Sequence, residues 1–174
     1  MNKSKESARN PLTNLQSRRI YNELIDNFSG DNNIGICYLD ANYLKFINDN
    51  YGHAAEDYLL ITIANTIKKV FRIADIFHLG GDEFLVISCN INYNIWEEKI
   101  NKLKELLSLA KRDVIDKYNI KDEFFCGDLA CMGIIYKEKI TNSQELVKLI
   151  GMADQKLMDE KTIIHEKFGD SRRK

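Results

Sequence analysis

Apolar residues at Tyr21, Leu24, Ile25 and Phe28 recur at i, i+3, i+4 and i+7, which predicts a helix with one buried stripe. Thr13 with Gln16 reads as a capping box opening that helix, and Gly30 as its stop. The segment "IGICYL" (34–39) is a short, mostly apolar run, predicting a strand that ends at Asp40. A short helix through "YLKFINDN" follows, closed by "YGH", and a longer helix carries Leu60, Ile63, Ala64, Ile67 and Phe71 on one face. "DIFHL" and "FLVIS" flank a glycine turn and predict a hairpin. Leu103, Leu106, Leu107, Ala110 and Val114 mark the next helix. "FFCGDLACMGIIY" predicts one strand or two, with Gly127 and Gly133 as bulges or points of close approach. The last helix carries Leu146, Leu149, Ile150, Ala153 and Leu157 and is started by Asn142 or Ser143.

The order helix, strand, helix, helix, hairpin, helix, strand, helix predicts an α/β sandwich with a mainly antiparallel central sheet flanked by helices. One proline and no low-complexity tract leave no internal linker in 174 residues, a length that suits one domain. The expected organisation is a short N-terminal segment (1–9), a domain over 10–165 and a mobile tail (166–174). A net charge of −1 exerts no global pull towards nucleic acid or a membrane surface. No apolar run approaches the roughly 18–20 residues of a membrane helix, and "MNKSKESARN" lacks a signal-peptide core, so the expected compartment is the cytoplasm. Cys37, Cys89, Cys126 and Cys131 form no C-x-x-C pair and are expected to be free thiols, and His53, His78 and His165 are too scattered for zinc.

The chemistry gathers around "HLGGDEFLVIS" (78–88) and the end of the preceding strand. If those strands are neighbours, Asp40 and Asp82 converge at one edge, and two close acids need a counter-charge to stay ionised. Mg²⁺ answers that need with one or two carboxylates, waters and substrate phosphates, and such a site suits phosphoryl or nucleotidyl transfer. The alternative is that Asp40 or Asn42 caps the next helix and Asp82 is an ordinary turn acid. Further along, Asn48 and Asp57 carry groups that match a purine edge, and an ionised Asp suits the N1–H and amino group of guanine.

Together, "LDANYLKFINDNYGHAAEDYLL" and "HLGGDEFLVI" resemble the GGDEF family, the diguanylate cyclases of bacteria. The resemblance runs from "NPLTNLQSRR", similar to the family's opening D-x-L-T-G-L-x-N-R, to "ADQKLMDEK" near the end. It implies a palm-like nucleotidyl-cyclase fold that condenses two GTP into cyclic di-GMP and two pyrophosphates at the interface of an antiparallel homodimer. Asp40, Asp82 and the backbone carbonyl of Ala41 would hold Mg²⁺, with Mn²⁺ as the alternative. Glu83 would be the base for the 3′-hydroxyl proton, with Asp82 second in line. Asn48 and Asp57 would read guanine beside His53. Lys45, Lys161 and the backbone N–H groups at Tyr43 and Leu44 would meet the triphosphate. Gly80 and Gly81 would let the backbone pass close to the α-phosphate. The rival implication is an inactive member that binds GTP or cyclic di-GMP as a regulatory module.

The pattern also breaks in places. Asn10, Asn14 and Ser17 replace the usual Asp, Gly and Asn of the opening segment. Few residues precede that segment, which is expected either where an upstream sensor has been removed or in a free-standing cyclase controlled by a separate regulatory protein. Arg72 and Asp75 resemble the R-x-x-D inhibitory site that binds cyclic di-GMP, at a spacing one residue shorter than usual from the glycines. His78 stands where Arg is common, so a rate that varies between about pH 6 and 8 is expected from its titration. Glu56 replaces a Gly, and His165 lies where some members carry a phosphate-binding Arg.

Overall fold

The computed structural model describes residues 7–72, 75–121 and 127–168, without the side chains of 31, 32 and 165–168. Expectations that fall on Cys126, on the side chain of His165, on the middle of the R-x-x-D segment and on the tail beyond 168 lie outside the described residues.

Strand β2 (Ser29–Ala41) is flanked on both sides, by β4 (Glu83–Cys89) and β5 (Ala130–Asn142), both antiparallel to it. A strand buried on both faces reads as a continuous apolar run, as residues 34–39 do. Its side chains alternate. Ile34, Ile36 and Tyr38 enter one core, and Cys37, Leu39 and Ala41 enter the other. Beyond β4 lies β3 (Ile76–Gly80), its hairpin partner, and beyond β3 the two-residue β1 (Gln16–Ser17), parallel to it. Among the described residues this is a five-stranded sheet in the order β1-β3-β4-β2-β5.

Helices α2 (Leu44–Tyr51), α3 (His53–Lys68) and α4 (Tyr93–Tyr118) supply the first core, where Ile47, Leu59, Ile63, Trp96, Leu103 and Leu107 meet Leu39, Phe84 and Val86. Helices α1 (Arg18–Asn27) and α5 (Ser143–Phe168) supply the second, around Ile36, Phe77, Leu85, Ile150 and Ala153. Helix α5 rides close to β5 at Gly133, where a Cβ would stand 1.7 Å from the Ala153 carbonyl oxygen. Close approach, one of the two expectations for this glycine, is the one realised. It sets the height at which the middle of α5 crosses the sheet.

The predicted elements are present, with corrections at the N-terminal end. The first helix begins at Arg18 with Ser17 as N-cap, not at a Thr13–Gln16 box. The Thr13 hydroxyl lies 3.0 Å from His78 Nδ1, and Gln16 is spent on β1. The Asn10 carboxamide oxygen accepts the N–H groups of Leu12 and Thr13, both at 3.0 Å, forming a separate turn. The helix stops at Phe28 rather than Gly30, which takes φ +94° inside the irregular start of β2. Asn142, one of two starters proposed for the last helix, accepts from the Glu145 N–H at 2.9 Å. Cys37 and Cys131 are buried free thiols and Cys89 is a half-buried one, and burial pushes all three pKa values up. No described helix is long and apolar enough to cross a membrane.

Candidate active site

The hairpin turn owes its shape to a bulge and two glycines. His78 pairs with Phe84 and Gly80 with Glu83, so Leu79 is an extra residue on β3 with no ladder partner. Gly80 has φ +140° and Gly81 φ +55°, values that carry a steric penalty for any residue with a Cβ. A Cβ at either position would meet nothing within 4 Å. Within the chain, then, these glycines are required by backbone conformation and not by crowding, and the space above the turn is open. The Ala41 N–H donates to the Asp82 carbonyl at 2.9 Å, tying the turn to the end of β2.

The register of β2 and β4 places Asp40 directly opposite Glu83. Opposed residues of an antiparallel pair project from the same face of the sheet, so these two carboxylates are neighbours. That face is the one covered by α1 and α5, and each helix contributes a cation. Lys161 Nζ lies 2.7 Å from Asp40 Oδ1. Arg18 Nη2 lies 3.3 Å from Glu83 Oε2, and the Tyr38 hydroxyl donates to Glu83 Oε1 at 3.3 Å. Asp40 is only 9% exposed. Burial raises its pKa above 3.8, Lys161 pulls it back, and the charges of Asp82 and Glu83 push it further up. Burial, and then Glu83, likewise raise the Tyr38 hydroxyl.

Among the described residues no three His, Cys, Asp or Glu side chains form a metal cage. Two adjacent carboxylates at a strand end, one of them held against its ionisation by burial and, less, by neighbouring acids, do fit a hard divalent cation that takes its remaining ligands from a backbone carbonyl, water and phosphate. Asp40 and Glu83 share that place by register, and Asp82 stands beside it on the turn. Asp40 and Asn42 do not cap α2, as the alternative required. Its N-cap is Tyr43, at φ +66°, and no side chain caps it. Asn42 instead donates to the Asp128 carbonyl at 2.9 Å and accepts from the Cys131 thiol at 3.3 Å.

The second group of expected residues lies on the α2–α3 arm, which leaves β2 through Asn42 and Tyr43. The Tyr43 hydroxyl accepts from the Gly127 N–H at 2.7 Å, pinning the entry to α2. The first N–H groups of α2, including that of Leu44, have no acceptor within the helix and carry its positive dipole end. Asn48 is half-buried, while Lys45, His53 and Asp57 are exposed, and His53 Nδ1 lies 3.1 Å from Glu56 Oε2. Gly52, at φ +80°, joins α2 to α3.

Two further groups of expected residues have their places in the fold. His78 is buried on the α3 side of the sheet, where desolvation lowers its pKa below 6.5 and moves its titration towards more acid pH than the free imidazole's. Arg72 and Asp75 sit at the end of β3 remote from the turn and are bonded to one another, Nε–Oδ2 at 3.2 Å and Nη2–Oδ1 at 3.4 Å. Arg18 and Tyr38, the partners of Glu83, are site residues that motif reading missed. Tyr38 was within reach, since it lies two residues before Asp40 on the same strand face.

The family model described as "Diguanylate cyclase, GGDEF domain" matches residues 7–166. The chain is 30% identical over 142 residues to the diguanylate cyclase DgcP of Escherichia coli, covering 75% of this chain and 38% of that one. It is 26% identical over 165 residues to the diguanylate cyclase VdcA of Vibrio cholerae, covering 91% and 45%. It is also 32% identical over 105 residues to the cyclic di-GMP phosphodiesterase PdeR of Escherichia coli, covering 58% and 16%. The chain thus spans less than half the length of these curated relatives. Among solved structures, diguanylate cyclase SiaD of Pseudomonas aeruginosa, in complex with its activator SiaC, superposes with TM-score 0.67 at 20% identity, over 90% of this chain and 58% of that one. The GGDEF domain of DgcB from Caulobacter crescentus, in complex with c-di-GMP, superposes with TM-score 0.62 at 18% identity, over 92% and 94%.

Proposed function

The chain belongs to the GGDEF family, and from that premise we propose that it is a diguanylate cyclase, condensing two GTP into cyclic di-GMP with release of two pyrophosphates. The observation that carries this reading is the carboxylate edge: Asp40 opposite Glu83 in the ladder, with Asp82 on the adjoining turn. Asp40, the Ala41 carbonyl and one or both turn acids would hold Mg²⁺, or Mn²⁺ in its place. The ion supplies charge neutralisation for the triphosphate and the reacting oxygens. The register favours Glu83 as the acid that shares the ion with Asp40. That leaves Asp82 to accept the 3′-hydroxyl proton, the reverse of the order of preference drawn from the motif.

Each domain offers one set of these residues. The 3′-oxygen of one GTP attacks the α-phosphorus of the other, a new P–O bond forms, the bond to the β-phosphate oxygen breaks, and pyrophosphate leaves. The reciprocal step closes the ring, so two chains must face each other antiparallel, and positioning then supplies much of the rate. Asn48 and Asp57 read guanine, with His53 beside the nucleotide. Lys45, Lys161 and the opening amides of α2 at Tyr43 and Leu44 balance the phosphates. The open space above Gly80 and Gly81 admits the α-phosphate. Control by a separate protein fits this reading, since the similar cyclase SiaD has been solved with an activator. GTP is a cytoplasmic nucleotide, which keeps the reaction in the cytoplasm.

One observation favours a second reading. Lys161 and Arg18 already neutralise Asp40 and Glu83, as they would in a module that binds GTP or cyclic di-GMP without turnover. The paired Arg72 and Asp75 would be the inhibitory product site once ligand separates them. Incubating the purified chain at high concentration with GTP and Mg²⁺, beside an Asp82→Ala variant, and identifying products by mass separates the readings. Cyclic di-GMP from the parent alone supports the cyclase, and bound GTP with no product supports the module.

A further inference from the structure

The turn that carries Asp82 has little ladder to hold it, and its carbonyls are fixed from three separate elements. The Leu79 carbonyl accepts from Arg18 Nε at 2.8 Å, the Asp82 carbonyl accepts from the Ala41 N–H at 2.9 Å, and the Gly81 carbonyl lies 3.0 Å from His78 Nε2. The third is a side chain that the reaction described above does not use. His78 is 4% exposed and stacks on Phe84, ring centroids 4.4 Å apart. A carbonyl oxygen can only accept, so Nε2 carries the proton, and in the neutral imidazole Nδ1 is then the acceptor. The hydroxyl that fills Nδ1 is that of Thr13, 3.0 Å away. Thr13 is itself held, its N–H by Asn10 Oδ1 at 3.0 Å and its carbonyl by Lys68 Nζ at 3.2 Å; its hydroxyl lies 3.3 Å from the same Asn10 oxygen, farther than from His78 Nδ1, which is the nearer acceptor for its one proton. An uninterrupted path therefore runs from the opening segment through one imidazole to the glycine turn.

We propose that His78 is a positioning residue. By donating to the Gly81 carbonyl it fixes the two-glycine turn and hence the place of the Asp82 carboxylate, and Thr13 selects the tautomer that makes this donation. The inference rests on the cyclase reading for its consequence in rate, but not for its consequence in structure. A bulged strand followed by two residues at positive φ has several backbone arrangements of similar energy, and one buried hydrogen bond selects among them. A misplacement of about 1 Å at a reacting group costs on the order of a hundredfold in rate.

The test compares His78→Phe, which keeps a ring to stack on Phe84 but loses both hydrogen bonds, with His78→Gln, whose amide N–H restores the donor. Thr13→Val removes only the hydroxyl that sets the tautomer. Cyclic di-GMP formation by the full chain is read as kcat and KM, and hydrogen exchange is followed at the amides of 79–83 and of 85–88. His78→Phe is expected to lower kcat between about tenfold and a hundredfold, with KM for GTP within about threefold. Exchange at 79–83 should rise about tenfold while 85–88 stays protected. His78→Gln should recover most of the kcat, and Thr13→Val should lose only about threefold. Parental kcat and exchange in His78→Phe, no recovery in His78→Gln, or exchange rising equally along 85–88 would each overturn the proposal. If the parent forms no cyclic di-GMP, the cyclase reading falls and the exchange pattern alone decides the role of His78.

Discussion

The carboxylate edge and the α2–α3 arm serve the same nucleotide in the reading above, yet folding treats them differently. At the edge the charges are answered inside the chain: Asp40 by Lys161, and Glu83 by Arg18 and Tyr38. Arg18 apart, these groups are buried or half-buried, and the backbone beneath the two carboxylates is held by sheet register. On the arm, Lys45, His53 and Asp57 are exposed, on two short-linked helices that leave the sheet through one left-handed residue, Tyr43. The edge exists as a charged structure before any ligand arrives. The arm presents exposed groups, His53 beside Glu56 among them, that are open to a ligand. Changes at the edge should therefore move stability, pH response and turnover together, whereas changes on the arm should move binding and selectivity alone.

The largest effect is expected from Asp40→Asn. Removing the buried carboxylate should lower turnover on the order of 10³-fold, as loss of a central electrostatic group does. The same change should raise Tm at pH 7.5. The sign follows from the raised pKa. The folded state disfavours ionised Asp40, so the unfolded chain binds fewer protons between pH 3.8 and the folded pKa, and parental stability falls as pH rises through that window. Asn has no proton to gain or lose there, and the variant should show a flatter profile. Mg²⁺ should raise the parent's Tm at pH 7.5, progressively less as Asp40 becomes protonated, and should not raise that of Asp40→Asn. An unchanged Tm in the variant would dissolve the contrast between edge and arm.

Next in size, the two turn acids can be told apart. Asp82→Asn should lower turnover about 10²–10³-fold while keeping the Mg²⁺-dependent rise in Tm, because register leaves Asp40 and Glu83 in place. Glu83→Gln should lose comparable turnover and most of that Mg²⁺ response. The opposite pattern would return Glu83 to the role of base.

How much of this was legible in the chain follows the same division. The central strands and the hairpin show in their apolar runs, because β2, β3 and β4 are buried on both faces. Asp40, Asp82 and Glu83 show because the motif places them at strand ends. The pairing of Asp40 with Glu83 rather than Asp82 does not show, since the register of β2 on β4 is set by packing between distant segments and no local signal announces it. Strand β1 is two residues long, too short for any period to register. The opening helix was started too early because Thr13, a good capping residue, is spent on His78, 65 positions away. Long-range hydrogen bonds of this kind override local preference and leave no mark in spacing.

On the arm, Asp57→Ala should reduce discrimination between GTP and ATP by about 10²-fold, since a guanine-reading carboxylate also rejects adenine by being left unpaired. Tm without ligand should stay within about 1 °C of the parent, because the side chain is exposed. Lys45→Ala should do least. An exposed ammonium contributes through screened attraction, so KM for GTP should rise about threefold at low ionic strength and converge on the parent at about 0.5 M salt. That convergence separates Lys45 from Lys161, whose half-buried contact with Asp40 is screened far less. Salt should leave the defect of Lys161→Met largely intact. If salt erased both defects alike, Lys161 would belong with the arm rather than the edge.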